Sequence, residues 1–285
     1  MIPSKFDYVR PNSVDEAVAA LKAGGEDSKV ITGGQSMLPL LRLRLAAPSV
    51  LVDCARIDEM KGIKDNGDSV TIGAAVTHWD VLHNDIVKTH VKLLADATAT
   101  VADPQVRHRG TFGGALAHGD PAGDLPAVVL ALDATLEIAG AKGRRQVAAK
   151  DFFVDYFTTA VGPDEILVSI TIPKLGKGWG TCYEKFNRTA SGWAVVGVAA
   201  AVKVEGGKIT DARIGLTNCA AVPVRASSVE SALKGASISA AEIEAASQSA
   251  AEGTRATSDL AADKEYREHL MRVVTARAVC CAAGA

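Results

Sequence analysis

The chain has 285 residues, 48% hydrophobic and 22% charged, a balance that suits one or two packed domains and excludes a disordered polypeptide. With 31 Lys and Arg against 33 Asp and Glu the net charge is -2, so no overall basic field recruits nucleic acid, and any anion site must be local. The opening MIPSKFDYVRP lacks an apolar signal core and no apolar run reaches the roughly 20 residues of a membrane helix, which predicts a cytoplasmic protein.

Ser13-Val14-Asp15-Glu16 reads as a capping box, and Val14, Ala17, Val18 and Leu21 recur with helical period until Gly24-Gly25 ends the helix. Val30-Ile31 is a short apolar strand that runs directly into Thr32-Gly33-Gly34-Gln35-Ser36-Met37, the first candidate site. Residues 50–52 and 70–72 look like further strands and Thr77 like a helix cap, an alternation that points to α/β or α+β architecture in the first half. The spacing predicts a helix over much of 91–102 that stops at Asp103-Pro104, because a residue before proline is biased away from helical geometry. The glycine-rich stretch 110–124 is the second candidate site; a buried helix over 125–132 and strands over 135–138 and 165–172 follow. Pro173-Lys174-Leu175-Gly176-Lys177-Gly178 combines Pro, Gly and charge and marks the domain boundary. Beyond it 179–186, 194–204 and 212–217 read as three strands, the last two joined by the Glu205-Gly206-Gly207-Lys208 turn. Residues 225–233, 239–249 and 265–281 read as helices.

Paired glycines at a strand end let the backbone approach a ligand, and consecutive N–H groups in such a turn form an anion nest. One Gly-Gly pair also makes a tight turn with no ligand; two such loops, with hydroxyls at Thr32, Ser36 and Thr111, suit the two phosphates of a dinucleotide. Neither loop has the G-x-G-x-x-G or P-loop signature, and Leu38 breaks the G-x-S-x-G pattern, so Ser36 is a hydrogen-bond donor and not a nucleophile. Asp124 suits a ribose or ribityl hydroxyl, or caps the helix beginning at Leu125. Alternation puts Tyr183 and Lys185 on one strand face, where Lys185 taken alone is a solvated residue. His78, His83, His90, His108 and His118 show no metal-ligand pattern, and no Ser/His/Asp or Cys/His set is present, so neither a metal site nor a catalytic acid-base set is nominated. Cys54, Cys182, Cys219, Cys280 and Cys281 are scattered, odd in number and without a C-x-x-C pair; they read as ordinary thiols, not as a disulfide framework or cluster ligands.

With both loops in hand, the chain resembles the FAD-binding medium subunits of the molybdenum hydroxylases, the group containing aerobic carbon monoxide dehydrogenase and bacterial xanthine dehydrogenase, over nearly its whole length. The residues that carry the resemblance are Phe6-Asp7-Tyr8 and Pro11, Gly33-Gly34-Gln35-Ser36, Asp103-Pro104-Gln105-Val106-Arg107, Thr111-Phe112-Gly113-Gly114, Asp120-Pro121, Asp124, Tyr183-Glu184-Lys185 and Gly215-Leu216-Thr217-Asn218. The resemblance implies an α+β fold: an FAD-binding domain, 1–176, of two α/β subdomains that part near 55–65, then a domain, 177–285, of three antiparallel strands plus helices. It implies FAD in this chain, with Thr32, Gly33, Gly34, Gln35, Ser36, Thr111, Gly113, Gly114 and Ala115 at the diphosphate, Asp124 on a flavin-side hydroxyl and Lys185 near the isoalloxazine. Trp193 stands where relatives carry an aromatic residue, often Tyr, over the flavin ring. Thr32 replaces a usual Ala, Phe112 an Ile or Leu, and Ala115 an Asn or Ser, so the Ala115 side chain cannot donate to phosphate.

The same resemblance implies partners: a large subunit with the molybdenum cofactor, a small subunit with two [2Fe–2S] clusters, and assembly as a dimer of heterotrimers. Electrons would reach FAD from the nearer cluster and leave to a quinone, a cytochrome or dioxygen, with peripheral attachment to the inner face of the membrane through that acceptor. The Asp103-Pro104-Gln105 and Gly119-Asp120-Pro121 regions lean toward the carbon monoxide dehydrogenase branch. Medium subunits of aldehyde, xanthine or N-heterocycle dehydrogenases, a stand-alone flavin oxidoreductase, and a scaffold whose glycines are only turns are the rival assignments.

Overall fold

The computed structural model describes residues 2–285. Its first elements are β1 (Asp7–Val9), α1 (Val14–Gly24), β2 (Ser28–Ile31), α2 (Met37–Leu43) and β3 (Val50–Asp53), whose strands form a parallel sheet in the order β1-β3-β2. Helix α1 forms from local signals: Ser13 accepts from the Glu16 N–H, Glu16 accepts from the Asn12 N–H, and Val14, Ala17, Val18 and Leu21 make the buried face.

Next come β4 (Ile63–Asp65), β5 (Ser69–Gly73), α3 (His78–His83), α4 (Asp85–His90), α5 (Lys92–Ala99), α6 (Pro104–Arg107), α7 (Phe112–His118) and α8 (Asp124–Ala131). They are followed by β6 (Thr135–Gly140), β7 (Gly143–Ala148), α9 (Ala149–Phe152), β8 (Phe153–Asp155), β9 (Thr158–Thr159) and β10 (Ile166–Pro173). Five of these strands make an antiparallel sheet, β4-β5-β10-β6-β7, which shares one hydrophobic cluster with the first sheet. The helix expected over 91–102 ends at Ala99, and Asp103 caps the single turn α6, whose first residue, Pro104, has no N–H to leave unpaired. The glycine-rich stretch is not all loop, because α7 runs through it with Thr111 as its cap.

The C-terminal part consists of β11 (Trp179–Phe186), β12 (Val196–Glu205), β13 (Lys208–Thr217), β14 (Val224–Arg225), α10 (Ser227–Leu233), α11 (Ala240–Ser247) and α12 (Lys264–Ala283). The sheet is antiparallel in the order β11-β12-β13-β14, so the short edge strand β14 adds to the three strands expected. Strand β12 is buried on both faces. Val196, Val198, Ala200 and Val202 join the cluster under α10, α11 and α12, while the alternate residues Gly197, Ala199 and Ala201 face the other way, where Ala199 joins the first cluster. Small residues let α8 lie flush on that second face: a Cβ on Gly215 would overlap the Ala127 backbone. Among the described residues no helix is long and apolar enough to cross a membrane.

The cysteines depart from expectation. Cys182 on β11 and Cys281 on α12, 99 residues apart, are joined as a disulfide with their Cα atoms 5.9 Å apart, whereas Cys54, Cys219 and Cys280 are free. Strand and helix pack face to face, which spacing in the sequence cannot express. Oxidised protein, once denatured, is expected to titrate as three thiols, against five after reduction. Cys182→Ser should lower the unfolding free energy of the oxidised form by about 2–4 kcal/mol and that of the reduced form far less. Five thiols in the oxidised sample would rule the link out.

Candidate functional site

The first loop leaves the C-terminal end of β2. Gly34 adopts a left-handed conformation, φ +75°, and Gly33 is buried against the backbone that precedes the second loop. A Cβ at Gly33 would overlap the Arg109 carbonyl oxygen and lie 2.7 Å from Gly110 Cα, so only glycine lets the two loops meet here. They are joined by their hydroxyls, with Thr32 Oγ1 2.9 Å from Thr111 Oγ1 across 79 residues of sequence. Thr111 Oγ1 also accepts from the Gly114 N–H at 3.1 Å, and Gly113 packs on Ala74 with no room for a side chain.

The two loops differ in how their donors are used. At the start of α7 the N–H groups are consumed internally: Phe112 donates to Val76 O (2.9 Å), Gly113 to Ala74 O (3.0 Å), Gly114 to Thr111 Oγ1 (3.1 Å) and Ala115 to Thr111 O (3.0 Å). In the first loop, among the described residues, the N–H groups of Gly33, Gly34, Gln35 and Ser36 have no acceptor. A consecutive run of unpaired donors around a left-handed glycine is a cradle for an anion such as a diphosphate, because backbone donors rarely stay unmatched. His78 packs under this junction; its backbone N–H donates to Gly110 O at 2.9 Å, and burial, then Arg107, holds its imidazole down to about 4. It is therefore a neutral support at physiological pH.

The second group of residues lies where α8 meets β11. Gly123, not Asp124, is the cap of α8, and the Asp124 carboxylate turns instead to the sheet. Its Oδ1 accepts from the Tyr183 hydroxyl at 2.6 Å and its Oδ2 from Lys185 Nζ at 2.9 Å, while Lys185 Nζ also donates to Thr100 O at 3.1 Å. The Asp124 and Lys185 side chains are each only 5% exposed. Tyr183 reaches Asp124 because Gly197 lies beneath its ring, and a Cβ there would fall 2.5 Å from the Tyr183 hydroxyl oxygen. Burial pushes the Asp124 carboxyl above its ordinary range, against the downward pull of Lys185 and Tyr183, and burial then Asp124 push the Tyr183 phenol well up. Tyr183 is thus a neutral donor, and each carboxylate oxygen keeps lone-pair capacity for a further hydroxyl.

The structure therefore draws Thr32, Gly33, Gly34, Thr111, Gly113 and Gly114 into one junction and couples Asp124 with Lys185. Gln35 is exposed, Ser36 and Ala115 are half-buried, and Trp193 is 63% exposed on the loop between β11 and β12; among the described residues no side-chain hydrogen bond ties Gln35, Ser36 or Trp193 to the set. Sequence reasoning did not nominate Tyr183, Thr100 or Arg109 for the site. The alternation that pairs Tyr183 with Lys185 was a usable signal for the first; the other two contribute backbone carbonyls, which leave no trace in residue type.

Residues 4–175 match the family described as the FAD binding domain in molybdopterin dehydrogenase, and residues 181–282 match the CO dehydrogenase flavoprotein C-terminal domain. The carbon monoxide dehydrogenase medium chain of Hydrogenophaga pseudoflava is 38% identical over 98% of this chain and 97% of its own. The nicotine 6-hydroxylase medium subunit of Paenarthrobacter nicotinovorans is 36% identical and covers 95% of each chain. A solved structure of carbon monoxide dehydrogenase from Hydrogenophaga pseudoflava, lacking the Mo-pyranopterin moiety of the molybdenum cofactor, superimposes with a TM-score of 0.97 at 39% identity, over 100% of this chain and 99% of that one.

Lys185→Met would leave the Asp124 carboxylate buried without its counter-charge and is expected to cost about 3–5 kcal/mol near neutral pH. Because burial raises the folded-state pKa of Asp124, the folded protein binds its proton more readily than the unfolded chain, and stability from this group falls as pH rises through that pKa. The deficit of the variant should shrink as the pH is lowered, and Asp124→Asn in the same background should flatten it. Urea unfolding across pH checks this; a deficit independent of pH would contradict the ion pair.

Proposed function

We propose an electron-relay role for this chain, which belongs to the FAD-binding flavoprotein family of the molybdopterin dehydrogenases, the molybdenum hydroxylases. It is a medium, FAD-carrying subunit of an oxidoreductase, and its relatives are named as medium chains or subunits of dehydrogenase complexes. The observation that carries the reading is the run of unpaired N–H groups from Gly33 to Ser36, closed over by the Thr32 to Thr111 hydroxyl contact. That donor set fits the diphosphate of a dinucleotide.

In this reading residues 32–36 hold the diphosphate through backbone donors, while Thr111, Gly113, Gly114 and Ala115 form the shaped support against which the first loop closes. Asp124 takes a ribityl or ribose hydroxyl on its remaining lone pairs, Lys185 places a fixed positive charge, and Trp193 covers the isoalloxazine ring. FAD, when bound, supplies one-electron exchange with a [2Fe–2S] cluster of the small subunit and delivery to an external quinone, cytochrome or dioxygen. The protein's share is position, charge and exclusion of water. Assembly as a dimer of heterotrimers in the cytoplasm, attached to the membrane only through the acceptor, and a division into 1–176 and 177–285 complete the proposal. The division is supported by the change of hydrophobic cluster along the chain.

Carbon monoxide is the proposed substrate of the complex, supported by the 38% identity to a carbon monoxide dehydrogenase medium chain. The 36% identity to a nicotine 6-hydroxylase subunit keeps an N-heterocycle as the second reading, since the substrate pocket would lie in the large subunit.

The purified chain is expected to carry one FAD, read from its yellow absorbance against protein content. Gly33→Val should abolish that absorbance, and the near-isosteric pair Thr32→Val with Thr111→Val should weaken FAD binding while leaving the circular dichroism spectrum intact. Wild-type chain that takes up no FAD on reconstitution contradicts the role. In the purified complex, carbon monoxide should bleach the flavin band; bleaching only by an N-heterocycle or an aldehyde would move the substrate to that class.

A further inference from the structure

The chain between β11 and β12 closes where the Val195 N–H donates to Phe186 O at 2.8 Å, and Trp193, 63% exposed, lies just before that closure. A single exposed aromatic residue is ordinary. What sets Trp193 apart is the grip on the backbone immediately after it. The Ala194 carbonyl accepts from Asn218 Nδ2 at 2.7 Å, and the Val195 carbonyl accepts from Arg267 Nη1 at 2.6 Å. Arg267, in the first turn of α12, is the largest fully buried side chain; its Nε donates to Thr257 O at 3.2 Å and its Nη2 lies 2.7 Å from Asp259 Oδ2. Burial of a guanidinium is unfavourable unless its charge and donors are answered, and here Asp259 answers the charge while Nη1 is spent on the Val195 carbonyl, two residues after Trp193.

Asn218 works from the other side. It follows β13 in the left-handed region, φ 59°, which a residue with a side chain keeps only when its neighbours hold it there. Its N–H donates to Pro121 O at 2.8 Å, and the preceding Thr217 hydroxyl donates to the same carbonyl at 3.2 Å and to Gly123 O. One residue therefore ties the loop that leads into Asp124 to the loop that carries Trp193. Gly197 pairs with Lys185 on one side and Thr217 on the other, so Lys185, Asn218 and the Trp193 loop share one end of the sheet.

We propose that Asn218, backed by Arg267, is a positioning residue that sets Trp193 as a wall of the FAD site at the sheet end where Asp124 and Lys185 meet. The proposal rests on the reading above in which Trp193 covers the flavin. It accounts for a left-handed asparagine and a buried arginine that each bond one of the two residues after one exposed tryptophan.

The test uses the full chain labelled with 5-fluorotryptophan, with the signal of Trp193 distinguished from those of Trp79 and Trp179 by Trp193→Phe. Asn218→Gly keeps the left-handed backbone and removes only the side-chain bond, so its melting temperature should fall by no more than about 2–4 °C while the Trp193 signal shifts or broadens and the other two stay in place. FAD affinity of the apo chain should fall about tenfold, the worth of one lost hydrogen bond. Asn218→Asp tolerates the same backbone but cannot donate, and should match the glycine variant. An unchanged Trp193 signal, or an unchanged FAD affinity, in Asn218→Gly overturns the proposal. Wild-type chain that binds no FAD fails the functional reading itself, and is recognised before any variant is compared.

Discussion

A carboxylate removed from water must be answered by other groups, and the contact between α8 and β11 is organised around answering one. Asp124 is shared by the Tyr183 hydroxyl and the Lys185 ammonium, and the pair is almost wholly enclosed. Enclosure requires α8 to lie flush on the sheet, which requires Gly197, Ala199 and Gly215 on the face it meets. The same glycine beneath the Tyr183 ring lets the phenol reach the acid. A buried pair of this kind adds little net stability, since desolvation offsets most of the attraction. What it supplies is a charge whose place is determined by two packed elements and not by a flexible stem.

The loop junction solves a different problem by a related route. Bringing two chain segments together at backbone distance needs the absence of a side chain at Gly33, and keeping them together takes one hydroxyl from each. The second loop spends its N–H groups on its own fold and on the Ala74 to Val76 segment, so it is rigid before any ligand arrives. The first loop keeps its donors free. The division of labour is between a support and a binder, although the two glycine runs look alike in sequence.

Legibility followed the range of the forces involved. Helix α1 and the hairpin of β12 and β13 were readable because a capping box, a continuous apolar run and a Gly206-Gly207 turn act within a few residues. Helix α7 was hidden, because Gly113 and Gly114 are disfavoured in helices and are there to seat against Ala74, Thr111 and Thr32, a tertiary demand. Strand β1 is exposed along its length, and β7 nearly so, so neither shows apolar alternation. The glycine loops pointed to an anion and the ordered resemblance to FAD, but the use of Asp124 was open between a cap and a ligand until its partner on β11, 59 residues away, was located. The link between Cys182 and Cys281 was invisible for the same reason.

The unequal faces of β12 bear on how such a chain can drift. Toward α10, α11 and α12 the strand presents valines, whose neighbours are helices able to shift by small amounts as volumes change. Toward α8 it presents glycine and alanine, and at Gly215 on the neighbouring strand even one added carbon would meet backbone. The sheet is in effect a bulkhead: the outer helices can be rewritten through compensating exchanges, while the compartment behind them, holding Asp124 and Lys185, keeps its dimensions.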